Sequence, residues 1–271
     1  MIKETAEFIR NKLDLKAPKT AVILGSGLGG FSKILENTLS ISYKDIPNFP
    51  KSSVSGHKGE LIKGYIANKE VICLNGRFHL YEGHNPSKIR DVIHILKELG
   101  IKQIILTNAA GSLKQDMPPG SIMLINDHIN FSGKNPLIGP NDENYGPRFP
   151  ALNNAYPLSL RQKCQKTAEK LGITLHQGTY FYVLGPNFET KAEIKAFAML
   201  GGDAVGMSTV PEVISAVHCS INVLALSVIT NYGAGMVDNA PSHQETLEEA
   251  NKASGKLINL VATFIKEEDE P

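Results

Sequence analysis

Thr20-Ala21-Val22-Ile23-Leu24-Gly25-Ser26-Gly27-Leu28-Gly29-Gly30 is the stretch whose reading decides the fold. Residues 20–24 make a short apolar strand, and it runs straight into a glycine-rich turn. Such a turn offers backbone N–H groups to a phosphate. The match to G-x-G-x-x-G, with Asp45 about where a ribose-binding acid would stand, admits a dinucleotide fold. The turn does not say whose phosphate it holds, so the choice passes to the rest of the chain.

Outward from that turn, strands alternate with helices nearly throughout. Residues 2–13 predict a helix with a stripe of Ile2, Ala6, Ile9 and Leu13. Residues 60–66 and 70–74 predict a hairpin turning at Asn68-Lys69. Asn85-Pro86-Ser87 opens a helix striped by Ile89, Val92, Ile93, Leu96 and Leu99 and closed by Gly100. Strands follow at 101–106, 122–125, 174–184, 203–206 and 222–229, with helices at 158–171 and from Ser242 to about residue 266. Thr190 with Glu193, Thr209 with Glu212, and Ser242 with Glu245 have capping-box spacing. This alternation calls for an α/β fold, a central and largely parallel sheet covered on both faces. Residues 126–157 form a long Gly/Pro/Asn-rich excursion, whose length argues for a binding loop or a subunit contact.

Composition narrows the function classes. An apolar fraction of 42% with 20% charged residues is that of a soluble globular protein. A formal net charge of +1 gives no reason to expect nucleic acid or a membrane surface as partner. Cys73, Cys164 and Cys219 are odd in number and widely spaced, which indicates neither a disulfide framework nor a zinc site and suits a reducing cytoplasm. The charged amino-terminal segment is no secretory signal, and the uncharged run 219–237 carries Asn222, Asn231 and two glycines, fitting a buried strand rather than a membrane span.

Chemistry-bearing residues gather where strands end. In Gly76-Arg77-Phe78-His79-Leu80-Tyr81-Glu82-Gly83, extended geometry puts Arg77, His79 and Tyr81 on one ledge and sends Phe78 and Leu80 into the core. A guanidinium fork, an imidazole and a phenol suit an oxyanion with a sugar beside it. Thr107-Asn108-Ala109-Ala110-Gly111 follows another strand, its small residues letting backbone approach a ligand. Glu189 lies just outside a helix amino end, either a structural carboxylate favoured by the dipole or an acceptor for the N–H edge of a heterocycle with Phe188 as stacking face. Ser208 sits at a further helix start, and Asn231 ends the strand at 222–229. With Ser26, these form an anion set, a sugar set and a heterocycle set. No nucleophile–base pair, HExxH or Walker pattern is present, and His84, His94, His128, His176 and His218 share no metal-like spacing.

Seven blocks in order, Gly25–Gly29, Ser55–Gly59, Gly76–Gly83, Thr107–Gly111, Gly185–Thr190, Gly206–Glu212 and Thr230-Asn231, resemble trimeric purine nucleoside phosphorylase over nearly the whole chain. The resemblance implies one domain spanning 1–271, with a nucleoside-phosphorylase-type central mixed twisted sheet flanked by helices, and a homotrimer. It implies a pentosyltransferase acting on purine nucleoside and inorganic phosphate, without metal or organic cofactor. By the same resemblance, phosphate falls to Ser26, His57, Arg77, His79, Asn108, the Ala109 backbone and Ser208. Ribose falls to Tyr81, Met207 and His243, with Phe149 lent by a neighbouring subunit. The purine falls to Glu189, Asn231, Phe188, Tyr180, Thr230, Ala110 and Gly111, with Asn231, Glu189, His79 and His57 as the catalytic set. Asn at 231, where the methylthioadenosine branch carries Asp in this region, implies 6-oxopurines such as inosine and guanosine. His84 departs from an aromatic common in relatives, and Tyr232-Gly233-Ala234-Gly235 resembles bacterial variants. Two other classes compete. A Rossmann dehydrogenase would bind NAD through Gly25-Ser26-Gly27 and Asp45, and a non-catalytic nucleoside-binding protein would need no phosphate cradle.

Overall fold

The computed structural model describes residues 1–25, 28–50, 58–238 and 243–267, of which 243–247 by backbone alone. Strands β1 (Thr20–Ile23), β2 (Glu36–Ser42), β3 (Glu60–Ile66), β4 (Lys69–Asn75), β5 (Gln103–Ser112), β6 (Ile122–Asn130), β7 (Leu175–Tyr182), β8 (Ala204–Gly206) and β9 (Asn222–Tyr232) form one mixed sheet. Helices α1 (Ile2–Lys12), α2 (Pro86–Glu98), α3 (Leu158–Lys170), α4 (Lys191–Met199), α5 (Val210–His218) and α6 (His243–Lys266) flank it. The strand order is β2-β3-β4-β1-β5-β8-β7-β6-β9, and a further pairing of β9 with β5 closes the last five into a ring. The remaining four strands extend from β5 as an open wing.

Period-two alternation explains why both faces of the wing are covered. Ala21 and Ile23 of β1, Ile72 and Leu74 of β4, and Ile104 and Leu106 of β5 pack into one core with α1, α2 and α5. Their neighbours Val22, Val71, Cys73 and Ile105 turn to the opposite face and pack against α3 and α6, around Leu257, Leu260, Val261 and Phe264. Strands buried on both sides read as continuous apolar runs, which is why they are legible in the sequence. The stripe predicted for α2 is buried from Ile89 to Leu99, and Asn85 caps that helix through Ser87 N.

Four expectations change. After the glycine turn comes a 3₁₀ helix, Gly29–Ile34, and then β2, where a dinucleotide fold would have an α-helix. β2 escapes sequence reading because it is an exposed edge strand whose pairing slips between Glu36 and Leu39. The hairpin turns at Ala67-Asn68, both at positive φ (48° and 67°), one residue earlier than expected. The block 107–111 does not follow a strand but belongs to it, because β5 runs through it to Ser112, and β6 likewise runs on to Asn130 before the excursion begins. The largely parallel sheet read from the alternation gives way to the mixed sheet that the resemblance implies, with antiparallel pairings of β2–β3, β3–β4, β5–β8 and β6–β9 among parallel ones.

Candidate active site

β5 has two partners in succession along one edge. β9 pairs with it from Gln103 to Ser112, so β1 and β8 must share the other side. β1 holds that side as far as Leu106 and β8 takes it from Gly111. Residues 107–110 between them have no strand on that edge among the described residues. The sheet forks there, and a cavity of about 230 Å³ occupies the fork. Its wall includes Gly25, Asn108, Ala109, Ala110 and Gly111.

The topology brings the other groups in. β1, β4, β5 and β9 run parallel, so the segments after β1 and β4, with Asn231 near the end of β9, arrive at one edge. β8 runs antiparallel to β5, and its register, Gly111 opposite Val205, carried on three residues sets Ser208 opposite Asn108. The first glycine of the turn has a packing reason. A Cβ on Gly25 would lie 2.6 Å from Thr107 O and 2.7 Å from Asn108 Cα, both rigid backbone. Gly25 N donates to Thr107 Oγ1 at 3.2 Å, locking the turn to β5.

At one end of the cavity Arg77 is 1% exposed, with its guanidinium bonded to protein acceptors. Nη1 donates to Thr107 O at 2.9 Å and to Ser208 Oγ at 3.1 Å, and Nε to Glu212 Oε1 at 2.8 Å. Asn108 Nδ2 donates to Thr209 Oγ1 at 2.9 Å. Thr209 is fully buried at φ 75°, and Val210 N donates across it to Ser208 O at 2.8 Å, a strained tight turn for a β-branched residue. The expected Thr209/Glu212 capping box is therefore absent. The threonine hydroxyl serves Asn108 and Ser208, and the glutamate serves Arg77. Glu82 Oε1 accepts from His79 N at 2.8 Å and lies 3.2 Å from Nδ1. A carboxylate there makes Nδ1 the donor and fixes the ring. The His79 ring stacks on Tyr81 at 4.6 Å. Tyr81 reaches the cavity through a 3₁₀ turn, Leu80–Glu82, rather than by the extended alternation expected. Burial, then the neighbouring Glu82 charge, pushes its phenol up to about 12.

At the other end stand Phe188, Glu189, Thr230 and Asn231. The Thr190/Glu193 capping box forms reciprocally, at 3.2 and 2.7 Å, and fixes the chain just after Glu189. Burial raises the Glu189 carboxyl above its ordinary value. The Asn231 amide is anchored at both ends: Oδ1 accepts from Thr230 Oγ1 at 3.0 Å, and Nδ2 donates to Tyr232 O at 2.9 Å. A Cβ on Gly111 would come within 3.1 Å of Nδ2, so glycine lets that amide sit against β5.

Arg77, His79, Tyr81, Asn108, Ala109, Ala110, Gly111, Phe188, Glu189, Met207, Ser208, Thr230 and Asn231 thus all border one cavity, as the sequence grouped them. Tyr180 is a correction. It is fully buried outside the cavity wall, and its hydroxyl accepts from Ser208 N at 3.4 Å, so it supports the loop after β8 rather than facing a ligand. Phe149 does not border the cavity and is 87% exposed. Ser26 and His57 lie outside the described residues, as does the side chain of His243, which opens α6. Asp45, itself exposed, ends a 3₁₀ turn and does not border the cavity, which removes the dinucleotide reading together with its missing helix. Sequence reading missed Glu82, Thr209 and Glu212. Glu82 had a signal, since it stands three residues after His79 in the quoted octet; Glu212 is 135 positions from Arg77 and had none. Among the described residues no cluster of three or more His, Cys, Asp and Glu side chains could hold a metal ion, and no helix is long and apolar enough to cross a membrane.

Residues 19–266 match the profile of the phosphorylase superfamily. The chain is 43% identical over 265 residues to purine nucleoside phosphorylase 1 of Geobacillus stearothermophilus, covering 98% of this chain and 96% of that one. It is 44% identical over 271 residues to purine nucleoside phosphorylase of Rattus norvegicus, covering 97% and 93%. The crystal structure of Schistosoma mansoni purine nucleoside phosphorylase in complex with inosine superposes with a TM-score of 0.95 at 36% identity, covering 100% of this chain and 97% of that one. With near-complete coverage, an identity above 40% and the same fold, the chain belongs to the purine nucleoside phosphorylase family of the phosphorylase superfamily.

Proposed function

We propose that the forked cavity holds phosphate, ribose and purine side by side and catalyses reversible phosphorolysis of 6-oxopurine (deoxy)ribonucleosides. The observation that carries this reading is that Arg77 and Glu189, an anion group and a heterocycle group, border the same cavity. Phosphate takes the Arg77/His79/Asn108/Ser208 end, where the Ala109 backbone has no strand partner on one edge among the described residues. Ser26 and His57 join that end by family resemblance, as His243 joins the ribose. Tyr81 and Met207 flank the sugar, and Glu189 and Asn231 hold the base.

The C1′–N9 bond breaks with its electron pair going to the purine, and a phosphate oxygen bonds C1′ from the opposite face. The purine takes up the proton that hydrogen phosphate gives up on bonding C1′ and leaves as the neutral base, and α-(deoxy)ribose 1-phosphate remains. The second Nδ2 hydrogen of Asn231 meets charge that accumulates near O6/N7 only as the bond stretches, so it lowers the barrier rather than merely tightening binding. Phosphate is the second substrate and the reaction as read needs no cofactor. The buried, unpaired Cys73, Cys164 and Cys219 fit a cytoplasmic setting. Phe149, exposed on the excursion, fits a sugar pocket completed by the neighbouring subunit of a homotrimer.

The test is base release from a nucleoside panel with and without phosphate. Release of hypoxanthine from inosine that requires phosphate and yields ribose 1-phosphate supports the reading. Binding of inosine without phosphate-dependent turnover would show a carrier instead. Because Schistosoma mansoni purine nucleoside phosphorylase has crystal structures with inosine and with adenosine, turnover ratios and not binding decide the 6-oxo preference.

A further inference from the structure

Glu212 is a buried carboxylate for which the phosphorolysis scheme has no use. Its side chain is 6% exposed, in the first turn of α5, where the helix dipole favours negative charge. Oε1 lies 2.8 Å from Arg77 Nε, and Oε2 has no hydrogen-bond partner among the described residues. It does not border the large cavity; it stands behind Arg77, beside a small void also lined by Ile23, Leu74 and Ile93.

A buried guanidinium needs a counter-charge, and a co-substrate anion that comes and goes cannot be the standing one. The attachment point matters as well. Glu212 takes Nε, while Thr107 O and Ser208 Oγ take Nη1, so the plane of the fork is fixed before any ligand arrives. Without Glu212 the fork loses its hold at Nε, the contact that sets its plane against the Nη1 anchors.

We propose that Glu212 is a positioning residue for phosphate, holding the Arg77 guanidinium in the plane that meets the anion. This rests on the assignment of phosphate to the Arg77 end of the cavity. The test compares Glu212→Ala and Glu212→Gln with the unaltered protein, by calorimetric titration with inorganic phosphate and by steady-state kinetics. Glu212→Ala is expected to raise the phosphate Kd and KM by about 10- to 100-fold, with the inosine KM within about twofold at saturating phosphate. Glu212→Gln keeps an acceptor for Nε and is expected to recover most of that loss. An unchanged phosphate Kd in Glu212→Ala, or equal losses for phosphate and inosine, overturns the proposal. If Glu212→Ala does not fold, Glu212→Asp decides, since the shorter side chain withdraws the carboxylate from Nε: a phosphate Kd unmoved in that variant sinks it. Failure of the functional reading looks different, since the unaltered protein would then neither bind phosphate nor need it for base release.

Discussion

At Asn231 the amide is held by Thr230 Oγ1 on one side and Tyr232 O on the other, so its orientation is set before a purine arrives. Preorganisation of that kind is where a single donor counts most. Asn231→Ala is expected to lower kcat for inosine by about 10²–10³, or roughly 3–4 kcal/mol, with little change in phosphate KM. Asn231→Asp replaces a donor by an acceptor and should raise the ratio of adenosine to inosine kcat/KM; an unmoved ratio would remove Asn231 from specificity. Glu189 gives a pH signature. Burial raises its carboxyl pKa above the ordinary glutamate value, so the acceptor for purine N–H groups is present above that raised value and lost as pH falls through it. The acid limb of kcat/KM for inosine should therefore lie above the range in which an ordinary glutamate titrates. In Glu189→Gln the limb should disappear along with most of the activity, and a limb retained in that variant belongs to another group.

Among the elements, β5 carries the site because it is one strand with two successive neighbours. β1 stops at Ile23, opposite Leu106, and the chain must turn away through Gly25 while pressed against Thr107 and Asn108. Neither atom facing Gly25 can swing aside, since both are backbone. Gly25→Ala is expected to cost roughly 1–3 kcal/mol by overpacking, lowering Tm and raising phosphate KM together. A variant with unaltered Tm would mean that the turn relaxes freely and that the glycine is not there for packing. The loop after β8 is a second such device. The buried, positive-φ Thr209 binds Asn108, and Tyr180 props Ser208 from below, so the two walls of the fork are tied together across the gap.

For the molecule as a whole, the exposed excursion and its Phe149 bear on assembly. If neighbouring subunits complete one another's sugar pockets, Phe149→Ala should raise inosine KM several-fold and leave phosphate binding unchanged. Sedimentation should report a trimer for both proteins. An inosine KM that does not move, or a fully active monomer, removes the shared pocket. The sequence by itself determined the α/β class and the two-faced core, because these depend on local signals. Apolar runs such as residues 20–24 and 101–106 mark strands buried on both faces, and the Ile89 to Leu99 stripe marks its helix. The functional side chains lie within a few residues of strand ends, so their blocks could be read one at a time. Only the tertiary structure decided that β5 runs on through Asn108 to Ser112, that β9 closes the ring, and that the resulting fork is the cavity. It alone moved Tyr180 beneath the site and gave Arg77 to Glu212. The reason is distance along the chain: pairings such as Arg77 with Glu212, 135 residues apart, leave no trace in local composition or periodicity and exist only once the sheet has closed.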